Sequence, residues 1–332
     1  MDRNAQRACL SLFKPGRVEP FLRLQTAFPV ITGAVPSVES ENLAWIRSLL
    51  PSDALLSCSR RGAAGPWSKD TILLLSKEME PKYVVKAGKG PAIAKLLENE
   101  AGWLKRLGQN RNLMMHVPRL LGYDQNPSGI SFLAQEVLEG EMSFELGQPH
   151  FAYLNVLQAT SHQSRRYSES QFARTIASRL DDVESLLPTE WAIRLRKASY
   201  AVERLFGDSN MPYVIGHNDF TPWNVRLAAG RAYVFDWEYG EPESLPLLDP
   251  LHFALKPLAL RVAPPEMIAR KAAEVIRQCK DALSDEYCQN SSAQTLAYYL
   301  SLCLLFVWAD RGIQKVDPML KAYAPIIDQM SM

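Results

Sequence analysis

Two short segments, 216–224 and 233–238, constrain this chain more than any other part of its sequence. The first contains Asp219 and Asn224 in the pattern H-x-D-x4-N, and the second is a strand-like apolar run that leads to Asp236. Phosphoryl transfer needs a carboxylate to accept the proton of the attacking hydroxyl, and oxygen ligands for magnesium. The spacing therefore predicts Asp219 as the base and Asn224 and Asp236 as magnesium ligands. Asp219 and Asn224 are also common turn residues, but their occurrence together with Asp236 favours the functional interpretation.

Together the two segments resemble the signature of the aminoglycoside phosphotransferase and choline kinase-like enzymes, which share the protein-kinase-like fold. The resemblance implies the same roles for the base and the metal ligands, and it implies that His217 braces the loop. Members of that family usually carry Gly between the His and the Asp, whereas this chain has Asn218. Asn tolerates a positive φ angle better than most residues, so we expect the loop to keep its shape.

The resemblance extends to a lysine and a glutamate in the preceding part of the chain. The run 83–86 resembles the strand whose lysine, here Lys86, pairs with the ATP phosphates. Glu100 lies in a helix predicted from Pro91 to Leu107, and it resembles the glutamate that holds this lysine. Glu98 is the competing partner, and a surface ion pair within the helix is the alternative role for Glu100.

Two further contacts with the nucleotide are implied by the same resemblance. Gly62 and Gly65 would mark a glycine-containing loop over the phosphates, although they match no strict G-x-G-x-x-G pattern and an ordinary turn explains them equally well. Gln135, Glu136 and Val137 lie in a segment that resembles the hinge whose backbone groups pair with adenine. Both sets are therefore predicted to bind the nucleotide.

Strand patterns dominate the first part of the chain and helical patterns dominate the second. Apolar runs bounded by turn residues predict strands at 54–59, 71–76, 83–87 and 129–138. Helical spacing of apolar residues fills 150–208, is replaced by turns and short strands over 213–240, and returns at 264–283 and 293–311. This order predicts an α+β fold of the two-lobed protein-kinase-like class, with a sheet-rich N-lobe and a mostly helical C-lobe.

The predicted lobes divide the chain near residue 138. Residues 1–138 would form the nucleotide-binding lobe, and residues 139–332 the helical lobe with the catalytic loop and the acceptor site. Residues 1–50 are an extension of unassigned role, in which 28–35 suggests a short strand and 39–50 a short helix.

Composition excludes several classes of partner. The formal net charge of +1 gives no electrostatic reason to bind nucleic acid or an anionic membrane. The five cysteines show no C-x-x-C spacing, which argues against a disulfide framework and a zinc site and is typical of a reducing cytoplasm. The longest apolar run, 296–309, is shorter than the ~20 residues of a membrane span. We therefore predict a cytoplasmic protein without nucleic-acid or membrane partners, and the sequence leaves its oligomeric state open.

These patterns predict an ATP- and magnesium-dependent small-molecule kinase that transfers phosphate to an alcohol group. The acceptor stays open between a sugar, an amino alcohol and an aminoglycoside-like compound. Residues 151–216 carry seven Asp and Glu against eight Lys and Arg, so the sequence shows no acidic acceptor face. Glu238, Glu241 and Glu243 nevertheless form a local acidic group, which keeps an amine-bearing acceptor open.

The alternative is a catalytically inactive kinase-like module that binds a nucleotide or recruits a partner. The complete set of predicted site residues favours the enzyme, because a degenerate module usually lacks one of them. Transfer to a protein hydroxyl is disfavoured, since the chain has no D-F-G or A-P-E segment. No role is predicted for four histidines that lack metal-ligand spacing, namely His116, His150, His162 and His252.

Overall fold

A computed structural model describes residues 56–61, 69–76, 80–261, 263–284, 299 and 318–328 of the 332-residue chain. The described residues fall into two compact units. One contains those up to Gly140 together with Tyr233–Glu238, and the other contains Glu141–Ala232 and those from Tyr239 onward. The strand predicted at 28–35 and the helix predicted at 39–50 lie outside the described residues, as does all but Tyr299 of the helix predicted at 293–311.

An antiparallel five-stranded sheet is the main feature of the first unit, and its strand order is β1-β2-β3-β5-β4. The strands are β1 (Leu56–Arg61), β2 (Asp70–Leu75), β3 (Pro81–Lys89), β4 (Leu120–Gln125) and β5 (Ile130–Glu136). Ile72, Val85 and Phe132 belong to its buried core. Since β3 lies at the centre of the sheet, any side chain it carries is placed rigidly, including that of Lys86.

Helix α1 (Pro91–Gly108) follows β3 and packs against β3, β4 and β5. Gly90 makes the turn between strand and helix with a φ angle of 103°, which residues with a side chain rarely adopt, and Pro91 suits the first helical turn. The apolar face of α1 buries Ile93, Leu97 and Leu104. The helix thus turns one fixed face toward the rest of its unit.

The second unit is mostly helical. Its helices are α2 (Gln148–Ser161), α3 (Gln171–Glu184), α4 (Thr189–Phe206), α5 (Leu248–Leu260), α6 (Pro265–Ala282) and α7 (Pro318–Asp328). Strands β6 (Gln163–Arg166), β7 (Asn210–Gly216) and β10 (Glu241–Ser244) form a small sheet in the order β10-β7-β6. Strands β8 (Val225–Ala228) and β9 (Arg231–Val234) form a two-stranded sheet. The buried central strand β7 leads directly into the segment that carries Asp219.

Several elements differ from the sequence expectations. Strand β4 was not predicted, and the polar strand β6 interrupts the stretch 150–208 that was predicted to be helical. Helices α5 and α7 were also not predicted, and Asp249 lies in the first turn of α5. None of the described helices combines the length and apolar character that a membrane span requires.

Candidate active site

A buried lysine and two carboxylates form one candidate cluster, within the first unit. The Lys86 ammonium donates to both carboxylate oxygens of Glu100, at 2.5 and 2.7 Å, and to Oδ1 of Asp236, at 2.8 Å. Burial lowers the pKa of Lys86, but the carboxylates of Asp236 and Glu100 outweigh burial, so the pKa lies above its ordinary value. Lys86 therefore carries its charge at neutral pH.

The position of Glu100 on α1 explains why this glutamate, and not Glu98, reaches Lys86. Glu100 lies three residues after Leu97 and four before Leu104, so it belongs to the buried face of the helix. Glu100 is 0% exposed, whereas Glu98 is exposed to solvent. A charged residue on an apolar face needs a partner of opposite charge, and the structure provides Lys86.

The segment after β9 carries the second carboxylate of this cluster. Asp236 has a φ angle of 71°, a left-handed conformation that costs a non-glycine residue roughly 1–2 kcal/mol. Its neighbour Trp237 is fully buried, and the Glu238 backbone carbonyl accepts a hydrogen bond of 3.0 Å from the Asn99 amide. The Glu238 carboxylate forms an ion pair with Lys69. These contacts hold the strained backbone in place.

Three buried carboxylates in this cluster are close enough to share a cation. Ligand oxygens of Glu100, Asp236 and Glu238 all lie within 4.8 Å of one another. Carboxylate oxygens are the ligands that magnesium prefers, so Asp236 fits the metal-binding role predicted for it, and Glu238 is a second oxygen donor beside it.

A second candidate cluster is the loop after β7, within the second unit. The backbone N–H groups of His217 and Asn218 donate to the two carboxylate oxygens of Asp249, at 2.8 and 3.0 Å. The N–H of Asp219 donates to Nδ1 of His217 at 3.2 Å. Nδ1 of His217 thus accepts a hydrogen bond from the backbone of the loop. The Asp249 carboxylate and the His217 imidazole together hold the backbone of residues 217–219.

Asn218 adopts a left-handed conformation in this loop, with a φ angle of 58°. Its side-chain amide donates to the Tyr239 carbonyl at 3.0 Å and accepts from Ser244 Oγ at 3.4 Å. The backbone angle is one that Gly and Asn both tolerate, and the side chain adds two bonds that Gly lacks.

The close approach of β10 explains the glycine just before the loop. A Cβ atom at Gly216 would lie 2.4 Å from Cβ of Ser244 and 3.0 Å from Oδ1 of Asn218. Any larger residue would therefore push β10 away from the start of the loop.

The amide of Asn224 is oriented by Asp219. Its nitrogen donates to the Asp219 backbone carbonyl at 2.9 Å and to Asp219 Oδ2 at 2.8 Å. Its oxygen, Oδ1, is buried and has no hydrogen-bond partner in the part of the chain that the structure describes. A buried oxygen without a donor is costly unless a ligand satisfies it, so Asn224 fits the predicted role of a neutral magnesium ligand.

The remaining predicted nucleotide contacts are placed only in part. Gly62 and Gly65 lie outside the described residues. Gln135 is buried at the end of β5, while the N–H groups of Glu136 and Val137 donate to the carbonyls of Arg119 and Lys82, both at 3.0 Å. These contacts do not test the predicted pairing of this segment with adenine, so the pairing stays a prediction.

Two residues of α5 next to the base were missed at the level of sequence. His252 Nε2 lies 3.6 Å and Lys256 Nζ 3.7 Å from Asp219 Oδ1. The two residues are four apart, which places them on one face of α5, and Asp249 anchors the start of this helix to the loop. That spacing is the signal from which they could have been found, once the helix itself was recognised.

Comparison with known proteins identifies a family that matches the chain. The model of the phosphotransferase enzyme family matches residues 59–242, which is more than half of the chain. No curated protein sequence matches the chain.

Solved structures with the same fold include aminoglycoside phosphotransferases. One is a thermostable mutant of APH(4)-Ia in a ternary complex with ADP and hygromycin B, with a TM-score of 0.60, 12% identity, and coverage of 89% of this chain and 98% of that one. Another is ADP-bound APH(2'')-Ib, with a TM-score of 0.52, 16% identity, and coverage of 89% and 100%. A third is the gentamicin complex of APH(2'')-IIa, with a TM-score of 0.53, 16% identity, and coverage of 89% and 99%.

These likenesses confirm the predicted α+β, protein-kinase-like fold, with its sheet-rich N-terminal part and helical C-terminal part. The match of the family model confirms the relationship expected from the two motif segments. The chain belongs to the phosphotransferase enzyme family.

Proposed function

We propose that this protein is an ATP- and magnesium-dependent phosphotransferase that acts on a hydroxyl group of a small molecule. The observation that carries the proposal is the orientation of the Asn224 amide. Its nitrogen holds the Asp219 carboxylate at 2.8 Å, and none of the described residues donates a hydrogen bond to its buried oxygen. A base needs its carboxylate held in place, and a neutral metal ligand needs its oxygen available for the metal. An ordinary turn requires neither arrangement of the amide.

The residues around Asp219 support its role as the base. Asp249 and His217 fix the backbone of the loop, and Asn224 fixes the carboxylate, so Asp219 is held before any acceptor binds. In transfer, Asp219 would accept a hydrogen bond from the acceptor hydroxyl and then take its proton. Such positioned bases typically contribute ~10²–10⁴-fold in rate.

Lys86, Glu100 and Asp236 support a nucleotide-binding role. The carboxylates keep the Lys86 ammonium charged and extended, as a partner for phosphate oxygens requires. Asp236 and Asn224 would hold magnesium, which when bound would neutralise charge on the phosphates of ATP. A purine nucleotide as the phosphoryl donor is supported by the structures of the same fold, of which two hold ADP and one holds GDP.

The acceptor class is less closely constrained. The APH(4)-Ia and APH(2'')-IIa structures contain hygromycin B and gentamicin, so an aminoglycoside-like acceptor is one candidate beside sugars and amino alcohols. The cysteine pattern continues to favour a cytoplasmic location.

The test uses Asp219→Ala and Asp236→Ala, with Asp181→Ala as a control, because the Asp181 carboxylate is exposed on α3. Asp219→Ala should bind ATP with magnesium as the wild type does but lose transfer by at least ~100-fold. Asp236→Ala should lose magnesium-dependent ATP binding in calorimetry. Unchanged turnover in Asp219→Ala would remove the base from the proposal, and unchanged binding in Asp236→Ala would remove the metal ligand.

A further inference from the structure

Helix α5 places one cation beside the proposed base. The Lys256 ammonium lies 3.7 Å from Oδ1 of Asp219, and both side chains are only 17% exposed. Because one end of α5 is bonded to the loop through Asp249, this separation is fixed by the fold. At this distance the ammonium is near enough to influence any group that approaches Asp219.

The other described groups that face Asp219 are His252, His217 and Asp249, and none of them takes the place of the Lys256 ammonium. His252 is buried, with its Nε2 3.6 Å from the same oxygen, and burial lowers its pKa to about 3, so its ring is neutral. His217 uses its Nδ1 to accept the N–H of Asp219, so this ring nitrogen is occupied by the backbone of the loop. The carboxylate of Asp249 is turned toward the backbone N–H groups of the loop. Lys256 therefore supplies the positive charge at the place where the acceptor hydroxyl must bind.

The distance from Lys256 to the acceptor follows from the chemistry of the base. The reacting hydroxyl must come within about 3 Å of the Asp219 carboxylate. In an acceptor whose neighbouring carbon faces Lys256, a group on that carbon then lies on the order of 5 Å from the ammonium. Repulsion between two positive charges at that distance, partly screened by solvent, amounts to roughly a tenfold loss of affinity.

We propose that Lys256 is a specificity-determining residue that selects acceptors without an ammonium group beside the reacting hydroxyl. The acceptor class is then neutral sugars and polyols or hydroxy acids, in preference to amino sugars and amino alcohols. The inference rests on the proposed function, in that Asp219 must contact the acceptor hydroxyl.

The test compares matched acceptors that differ only in an amine: glucose with glucosamine, and glycerol with 2-amino-1,3-propanediol. For each pair, the ratio of kcat/KM for the amine to kcat/KM for the neutral compound is measured in wild type, Lys256→Met and Lys256→Arg. Lys271→Met is the control, because Lys271 lies on α6, where it pairs with Glu274. The ratio should be below one in wild type and rise about tenfold in Lys256→Met. In Lys256→Arg and in the control, the ratio should stay within about twofold of the wild-type ratio, because these changes keep the positive charge next to Asp219.

Binding of the same compounds, measured by calorimetry, separates this inference from the proposed function. If the amines bind better to Lys256→Met than to wild type, but no compound accepts phosphate from ATP, the charge selection stands and the phosphotransferase proposal fails. If transfer occurs and the amine ratio is the same in wild type and Lys256→Met, the phosphotransferase proposal stands and the role of Lys256 is wrong. A wild type that prefers the amine in both pairs would also overturn the inference.

Discussion

The buried ion pair between Lys86 and Glu100 should be strongly coupled, and a double-mutant cycle measures this. Lys86 is 8% exposed and Glu100 is 0% exposed, so removal of either partner leaves a charge with little access to water. Loss of one partner of a buried pair costs ~3–5 kcal/mol. We place Glu100→Gln at about 3 kcal/mol, the lower end, because Lys86 keeps its 2.8 Å bond to Asp236.

Lys86→Met should cost more, at about 4 kcal/mol, because it leaves the carboxylates of Glu100 and Asp236 close together without their shared cation. The double variant Lys86→Met/Glu100→Gln removes both charges, so its cost should be close to that of Lys86→Met alone. The sum of the single costs would be about 7 kcal/mol, and the expected coupling is therefore about 3 kcal/mol.

Urea unfolding of the four proteins gives the free energies of unfolding. The matched control is the pair Lys271 and Glu274 on α6, in which the side chains are 32% and 38% exposed and the separation is 2.8 Å. Its coupling should be about 0.3 kcal/mol, as is usual for surface pairs within one helix. A Lys86–Glu100 coupling below about 1 kcal/mol would refute the reasoning, because the pair would then behave like the surface control.

Two further predictions concern the second unit. Burial lowers the pKa of His150 to about 4, from about 6.5 in an unfolded chain, so the folded state favours the neutral ring. The contribution of His150 to stability is complete above pH 6.5 and is lost as the pH falls toward 4. Between pH 7 and pH 5 this loss is about 2 kcal/mol, and His150→Gln should abolish that part of the acid sensitivity in urea unfolding. Asn218→Ala should lower the free energy of unfolding by about 2 kcal/mol, since it loses the 3.0 Å bond to Tyr239 and keeps the strained φ angle. Asn218→Gly should cost about half as much, because glycine adopts that angle without strain.

Each of these predictions has a clear contrary result. Equal acid sensitivity in wild type and His150→Gln would show that protonation of His150 is not linked to unfolding. An Asn218→Ala variant as stable as Asn218→Gly would show that the left-handed backbone at this position carries no cost.

The sequence predicted best where residue type and spacing both carried chemistry. The loop of Asp219 and Asn224 and the segment that ends at Asp236 were recognisable because few arrangements combine these groups in this order. Glu100 was separable from Glu98 by its helical face, since it shares that face with Leu97. In these cases the local pattern and the chemical requirement agree.

Prediction was weakest where a local pattern contradicts the structure that tertiary contacts impose. Helix α5 contains Pro250 and Pro257, and all of its first eight residues are buried, so it shows no amphipathic stripe. Its position next to the loop depends on the bonds to Asp249, which join residues more than 30 apart in sequence. His252 and Lys256 could not be assigned to the base until this helix was placed. The polar strand β6 similarly forms through pairing with β7 and not through its own composition.

The most direct test of the account is transfer of radiolabelled γ-phosphate from ATP with magnesium to a mixed panel of sugars, polyols, hydroxy acids, amino alcohols and aminoglycosides. Wild type and Asp219→Ala are compared at equal occupancy by ATP. The account predicts a labelled phosphate ester in the wild type and at least a ~100-fold loss in Asp219→Ala, with ATP binding retained. Intact ATP binding without a labelled product from any acceptor would contradict the account and indicate a nucleotide-binding module without transfer activity.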